Sequence, residues 1–395
     1  MVSRRKFLTA AGAAAVTAPF AGTLLSSRAA AAPATCELAL ENKSLPGSVN
    51  AYVTGHEEGT GKWVLLRPDG SKFYLPQSSE MQEIEDCSIP LKAAGNGPTV
   101  VTLPQMYGAR VYFVRNDKIT FYVNDVSQLV EPSFVAEADD NYRKVWSFCE
   151  FTFNTAELYA NLSYVDLVTA LPIGFTLTGD DTRTVAPLAL NGAERIAADL
   201  RAQAAKDGYP WDKLVISDGG TVLRAISPQK LPASQGSFGS YWDSYTDAVW
   251  QKYASTDLRM NAGSWGVFTG RVQGGALTFP GLETPFAKPT TADIFSCDSG
   301  PFTNAGSKPR LTVMARLAAA FNRSTLLTHP DQPDSATPED YYLDATTNHW
   351  SRIVHANSPQ GYGFPYDDVS PEGTHPVDGS ARDSNPVRWH VSVGG

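Results

Sequence analysis

Hydrophobic and polar positions along the chain change rhythm twice. From Cys36 to about Leu177, short apolar runs alternate with polar residues and are cut by Gly, Pro, Asn and Asp. Residues 62–66, 99–103, 110–114 and 119–123 are examples, and their period of two predicts strands. Runs at this spacing predict a sandwich or a barrel. The period then lengthens. Residues 192–206 carry apolar side chains at helical spacing, and Gly208 stops them. Residues 241–253 predict a second helix, with Tyr241, Tyr245 and Val249 on one stripe, and 311–321 a third. Short β-type runs at 214–217 and 266–269 lie between the helices. After about Asn348 the β texture returns, at 350–355 and 388–393. The expected fold is mainly β. A barrel or sandwich domain is built from both ends of the chain, 36–178 plus 345–395, and a mixed α/β domain, 179–344, is inserted between them.

The first residues break this picture. Ser3-Arg4-Arg5-Lys6-Phe7-Leu8 is followed by an apolar run from Leu8 to Leu25 and by Arg28-Ala29-Ala30-Ala31-Ala32-Pro33, a small-residue cleavage site. Residues 1–32 read as a twin-arginine signal peptide, so a secreted protein is expected. No other stretch is long and apolar enough to span a bilayer.

Composition then narrows the function. With 18% charged and 11% aromatic residues the chain is no disordered segment. Its net charge is −9, and cutting after Ala32 removes four basic residues and no acidic one, leaving 28 basic against 41 acidic, or −13. Such a balance opposes nucleic-acid binding, which needs basic surface. Cys36, Cys87, Cys149 and Cys297 remain in the mature part, and outside the cell they can pair in three ways. None sits in a C-x-x-C, and no H-E-x-x-H, G-x-S-x-G or G-x-x-x-x-G-K-[ST] occurs. No metal or cofactor is expected. Tyr241, Trp242, Tyr245 and Trp250 suit a helical core better than a sugar platform, and Trp350 and His349 suit a barrel wall.

The densest chemical signal spans 146–175. Residues 145–154 predict a strand, with Cys149, Phe151 and Phe153 on its core face and Phe148, Glu150, Thr152 and Asn154 on the other. Residues 162–168 predict a second strand, with Tyr164 and Asp166 on one face. If both strands share a sheet, Glu150 and Asp166 face one cleft. Two carboxylates across a groove are the minimum equipment for glycoside hydrolysis, one protonated and one ionised. Burial beside Trp146 and Phe148 would raise the pKa of the acid. Asp367 and Asp368 suit a structural turn better than the cleft.

The order of these residues resembles a known family. Glu150-Phe151-Thr152-Phe153-Asn154, then Ser163-Tyr164-Val165-Asp166, then Leu171-Pro172-Ile173-Gly174-Phe175 resemble the acidic cleft of thaumatin-like proteins. Phe364-Pro365-Tyr366-Asp367-Asp368 and the opening Glu37-Leu38-Ala39-Leu40-Glu41-Asn42 do so too. With Cys297-Asp298-Ser299-Gly300-Pro301-Phe302, Phe321-Asn322-Arg323 and His355-Ala356-Asn357 added, the chain is similar to glycoside hydrolase family 64, bacterial β-1,3-glucanases of thaumatin-like fold. The resemblance implies a thaumatin-like β domain and an inserted α/β domain around a wide cleft. It implies an inverting endo-type cut in β-1,3-glucan, releasing short laminari-oligosaccharides such as the pentaose, by a secreted monomer. It puts Glu150 at the general acid and Asp166 at the general base. Thr152, Asn154, Tyr159 and Ser163 fall at substrate-binding positions. The alternatives are a thaumatin-like protein that binds the glucan without cutting it, and an antifungal protein acting on membranes. The acidic charge opposes the last.

Overall fold

The computed structural model describes residues 31–371 and 377–395, so residues 1–30, which carry the twin-arginine motif and the apolar run, lie outside it. Two β sheets face each other. A five-stranded sheet runs in the order Thr182–Val185, Ile173–Thr178, Arg388–Val393, Thr35–Asn42, Thr99–Pro104. Thr35–Asn42 pairs in parallel with Arg388–Val393, so strands more than three hundred residues apart lie side by side. The second, eight-stranded sheet runs Ser380–Asp383, Leu158–Asn161, Val145–Phe153, Met106–Arg115, Val49–Glu57, Trp63–Leu66, Lys72–Tyr74, with Ile89–Pro90 attached to Val49–Glu57. The alternation read from the sequence is what packs them. Trp389, Val391 and Val393 point inward from one sheet, and Cys149, Phe151 and Phe153 from the other. Phe151 and Trp389 meet at a ring separation of 5.0 Å. Each such fully buried side chain contributes about 1.5–3 kcal/mol.

Between these strands the chain builds its helices: α1 (Gly192–Asp207), α2 (Asp243–Tyr253), α3 (Thr291–Ser296), α4 (Lys308–Asn322) and α5 (His349–Asn357). The Gly208 amide closes α1 on Ala204 from a left-handed φ of 77°, a conformation that costs glycine little. A three-stranded sheet, Leu167–Thr169, Thr221–Ile226 and Val215–Asp218, packs against α1. Tyr241, Trp242, Tyr245 and Trp250 are all buried, and Tyr241 and Trp211 stack edge-on at 5.4 Å. They are core, not a sugar platform. Among the described residues no helix is long and apolar enough to cross a membrane.

Three expectations are corrected. Residues 350–355 are helical rather than extended: the Asn348 side chain caps Ser351 N at 3.1 Å, and Trp350, Ile353 and Val354 are buried at helical spacing. The β-branched Ile353-Val354 pair imitates a strand only locally. Residues 162–168 are not one strand. Leu158–Asn161 belongs to the eight-stranded sheet and Leu167–Thr169 to the three-stranded one, with the chain crossing between them. Tyr164 is buried in that crossing and Asp166 is half-exposed, so they share no strand face. Finally, the four cysteines are buried free thiols. Burial pushes Cys36 and Cys87 up to about 12 and raises Cys149 and Cys297 further, so none is a ready nucleophile.

Asp367 ties the helical part to the crossing. Its buried carboxylate accepts from Arg323 Nη2 at 3.1 Å, lies 2.6 Å from His355 Nε2 and accepts from Gly363 N at 2.8 Å. Burial opposes its charge, but His355, Arg323 and the Gly363 amide outweigh it and hold its pKa below the usual carboxylate range. Asp367→Asn therefore removes one partner of a buried pair and is expected to cost about 3–5 kcal/mol in denaturant unfolding. His349 generates a pH prediction. Its Nδ1 accepts from Arg352 Nε at 2.9 Å and its Nε2 lies 3.2 Å from Ala345 O, which fixes a neutral ring. Burial, then Arg352, lowers its pKa to about 4 from 6.5. Below pH 6.5 the unfolded chain takes up a proton that the folded chain refuses, so His349 makes stability fall as pH drops toward about 4. Denaturant midpoints across that window fall in the parent and fall less in His349→Gln.

Candidate active site

The Glu150 strand, Val145–Phe153, runs through the middle of the eight-stranded sheet. Phe148, Glu150 and Thr152 are half-buried on one face while Cys149, Phe151 and Phe153 are buried on the other, as the alternation predicts. The register lines up the neighbours. Glu150 lies opposite Asn161 on one side and Arg110 on the other, and Thr152 lies opposite Tyr159. Directly opposed side chains stand close enough to touch.

Arg110 organises this row. Its Nε and Nη2 donate to Glu150 Oε1 at 3.2 and 3.0 Å, and its Nη1 donates to Glu131 Oε2 at 2.8 Å. Tyr112 donates its hydroxyl to Glu131 Oε1 at 2.6 Å, and Arg110 lies 4.6 Å over the Phe148 ring. Burial opposes the charge on Arg110, but Tyr112, Glu131 and Glu150 hold its pKa well above the ordinary value. Burial, reinforced by Glu131, raises Tyr112. The apolar pocket expected for Glu150 is absent. Its side chain is 38% exposed and has a guanidinium beside it. Trp146 is buried below, with its indole N–H on Asn141 O at 2.9 Å.

Asp166 sits at the crossing between sheets. Its carbonyl accepts from Ser227 N at 2.9 Å, and its Oδ1 pairs with Lys230 Nζ at 3.1 Å. Each expected acid therefore carries one cation, and in both cases the contacts fall on one carboxyl oxygen.

The other expected site residues divide. Thr152 keeps its place on the same face as Glu150. Asn154 lies beyond the strand end, and its Oδ1 accepts from Ala156 N and Glu157 N at 2.8 and 3.1 Å, so half of its amide closes the hairpin turn. Tyr159 is half-buried. Burial raises its pKa, against hydrogen bonds from Ser380, Asn161 and Tyr362. Ser163 forms a lone bridge with Tyr362, and its Oγ accepts from Val165 N at 3.2 Å. Asp378 accepts from Tyr362 at 3.1 Å and from Ser380 at 2.6 Å. Asp368 is half-buried near this group, and burial and then Asp367 and Asp378 raise its pKa. Of the Asp367-Asp368 pair, Asp367 is the fully buried one, held by Arg323, His355 and the Gly363 amide. The sequence reading missed Arg110, Glu131, Asn161, Lys230, Tyr362 and Asp378. Arg110 alone left a trace, a charged residue inside a predicted strand; the others are set by register and by loops. Among the described residues no three His, Cys, Asp or Glu side chains are grouped to hold a metal.

The sequence pattern of the family described as β-1,3-glucanase, glycoside hydrolase 64, matches residues 34–393. A glucan endo-1,3-β-glucosidase of Cellulosimicrobium cellulans is 29% identical over 381 residues, 92% of this chain and 66% of that protein. One from Arthrobacter sp. (strain YCWD3) is also 29% identical, with the same shares covered. The chain thus spans just under two thirds of these relatives. The crystal structure of a laminaripentaose-producing β-1,3-glucanase in complex with laminaritetraose superposes with a TM-score of 0.81 at 30% identity, covering 91% of this chain and 98% of that one. A β-1,3-glucanase domain from Clostridium beijerinckii shares the fold, with a TM-score of 0.73 at 21% identity, covering 92% and 98%.

The Arg110 bridge generates a measurable coupling. Arg110→Met leaves Glu131 and Glu150 facing each other without their shared cation, and Glu131→Gln relieves half of that conflict. In a denaturant double-mutant cycle the pair is expected to be non-additive by about 0.5–3 kcal/mol. Strict additivity would mean that Arg110 does not couple the two carboxylates.

Proposed function

The chain belongs to glycoside hydrolase family 64, and on that premise we propose that it is a secreted, monomeric, inverting endo-β-1,3-glucanase that releases short laminari-oligosaccharides such as the pentaose. The observation that carries the reading is the pair of half-exposed carboxylates, Glu150 on the sheet and Asp166 at the crossing beside it. The likeness to a glucanase bound to laminaritetraose supports the substrate class.

In this mechanism Glu150 is the general acid. Arg110 occupies Oε1, so the proton resides on Oε2 and passes to the glycosidic oxygen as the bond from that oxygen to the anomeric carbon breaks. Asp166 is the general base. Lys230 occupies Oδ1, and Oδ2 takes a proton from a water that attacks the anomeric carbon on the opposite face. The sugar inverts, Glu150 ends ionised and Asp166 protonated, and exchange with solvent resets both. Room for that water requires the two carboxyls to stand about 6.5–9.5 Å apart, against about 5–5.5 Å in a retaining enzyme. Thr152, Tyr159, Ser163 and the free end of the Asn154 amide hold sugar hydroxyls along the same face. The leader at residues 1–32 directs export.

Two outcomes are expected. Glu150→Gln and Asp166→Asn each reduce sugar release from laminarin or curdlan by about 10²–10⁴-fold. Proton NMR of the first product formed shows the α anomer at the new reducing end; a β anomer would overturn inversion. If the wild type pulls down with curdlan but releases no reducing sugar, the protein binds glucan without cutting it.

A further inference from the structure

The Glu150 face of the eight-stranded sheet continues past Arg110 to a cluster of three rings. Thr54 is paired with Arg110, and His56, two residues on and on the same face, is paired with Trp63 on one side and Tyr107 on the other. The His56 ring lies 4.0 Å from Trp63 and 5.1 Å from Tyr107, the latter at 17° to parallel. The stack is held in place: His56 Nδ1 contacts Gly61 O at 3.1 Å, and Trp63 Nε1 donates to Gln128 Oε1 at 3.1 Å. Tyr107 is the outer ring, on the strand adjoining the Glu150 strand, and is 39% exposed.

Tyr107 faces this way because of a bulge. In an unbroken ladder His56 would pair with residue 108, and Tyr107, three residues from Arg110, would point to the opposite face. The register instead shifts between Thr54 and His56, and Gly108 takes a φ of 51°. One extra residue on the Met106–Arg115 strand turns Tyr107 to the side of Arg110 and Glu150. Three residues of strand put it about 10 Å along the sheet from Arg110. That is too far to touch the sugar under attack. It suits a sugar farther along the same chain.

We propose that Tyr107, backed by His56 and Trp63, is a distal subsite on which a pyranose ring of the β-1,3-glucan stacks its apolar C–H face. This rests on the proposed function and extends its groove. An aromatic face carries negative quadrupole charge that attracts such C–H groups, and the stack behind Tyr107 fixes its ring at no further entropic cost on binding. The occupant follows from continuity: the subsite shares its sheet face with Glu150, so a polymer lying on Glu150 and Thr152 runs over it.

The test uses the full chain with Glu150→Gln, so that ligand stays intact, and calorimetric titration with laminaribiose and with laminarihexaose. Adding Tyr107→Ala or Tyr107→Leu is expected to weaken the hexaose about three- to tenfold, the size of one aromatic contact, and the biose little. Tyr107→Phe keeps the parent affinity. Tyr107→Leu keeps apolar bulk without a flat face, so it separates stacking from packing, and unchanged melting midpoints exclude misfolding. Parent affinity for the hexaose in both folded variants would overturn the subsite and leave the glucanase reading intact. If Glu150→Gln binds neither sugar and the wild type releases none from curdlan, the glucanase reading fails and the subsite with it.

Discussion

A single buried carboxylate ties the helical part of the chain to the crossing that carries Asp166. Asp367 holds Arg323 at the end of α4, His355 on α5 and the Gly363 amide together. The residue before that glycine, Tyr362, accepts at its carbonyl from Tyr164 N at 2.8 Å, and Trp350 of α5 donates its indole N–H to Tyr164 O at 3.1 Å. The crossing that carries Asp166 is thus gripped by two elements that both hang on Asp367. A charge taken out of water is tolerated only when its partners are complete, so these elements have one mutual arrangement rather than several. Rigid support of this kind holds the Asp166 crossing in one place beside the sheet.

The surroundings of the two acids change the meaning of the chain's negative charge. The resemblance to thaumatin-like proteins implies an acidic cleft. In the fold, Glu150 and Asp166 each have a cation within about 3 Å, and Asp378, beside Asp368 and the Tyr362 hydroxyl, pairs with Arg183 at 3.2 Å. Arg110 serves two carboxylates at once, and its planar fork allows it to reach both without moving. A lysine there would supply a point charge but no such geometry.

Much of the architecture was legible because alternation is a local property. The faces of the Val145–Phe153 strand, the stop of α1 at Gly208 and the return of the chain end to the β sheets could all be read from short windows. The misreadings share a cause. Residues 162–168 look like one strand because Leu162, Tyr164 and Val168 are apolar, yet only Leu167 and Val168 join a strand, in a different sheet from the preceding Leu158–Asn161. Residues 350–355 look extended because Ile353-Val354 outweighs an Asn cap that lies just outside the window. Cross-strand partners such as Arg110 and Asn161, and a bulge that turns Tyr107 around, exist only once register is set, and register is a relation between distant segments.

The four isolated thiols carry a different consequence. Cys36, Cys87, Cys149 and Cys297 are packed as small apolar side chains, with no cross-link closing any loop. The fold reaches its final state without an oxidant, so its assembly does not wait on the redox poise of a compartment. A fold held this way owes none of its stability to cross-links, so a reducing agent has no bond in it to break.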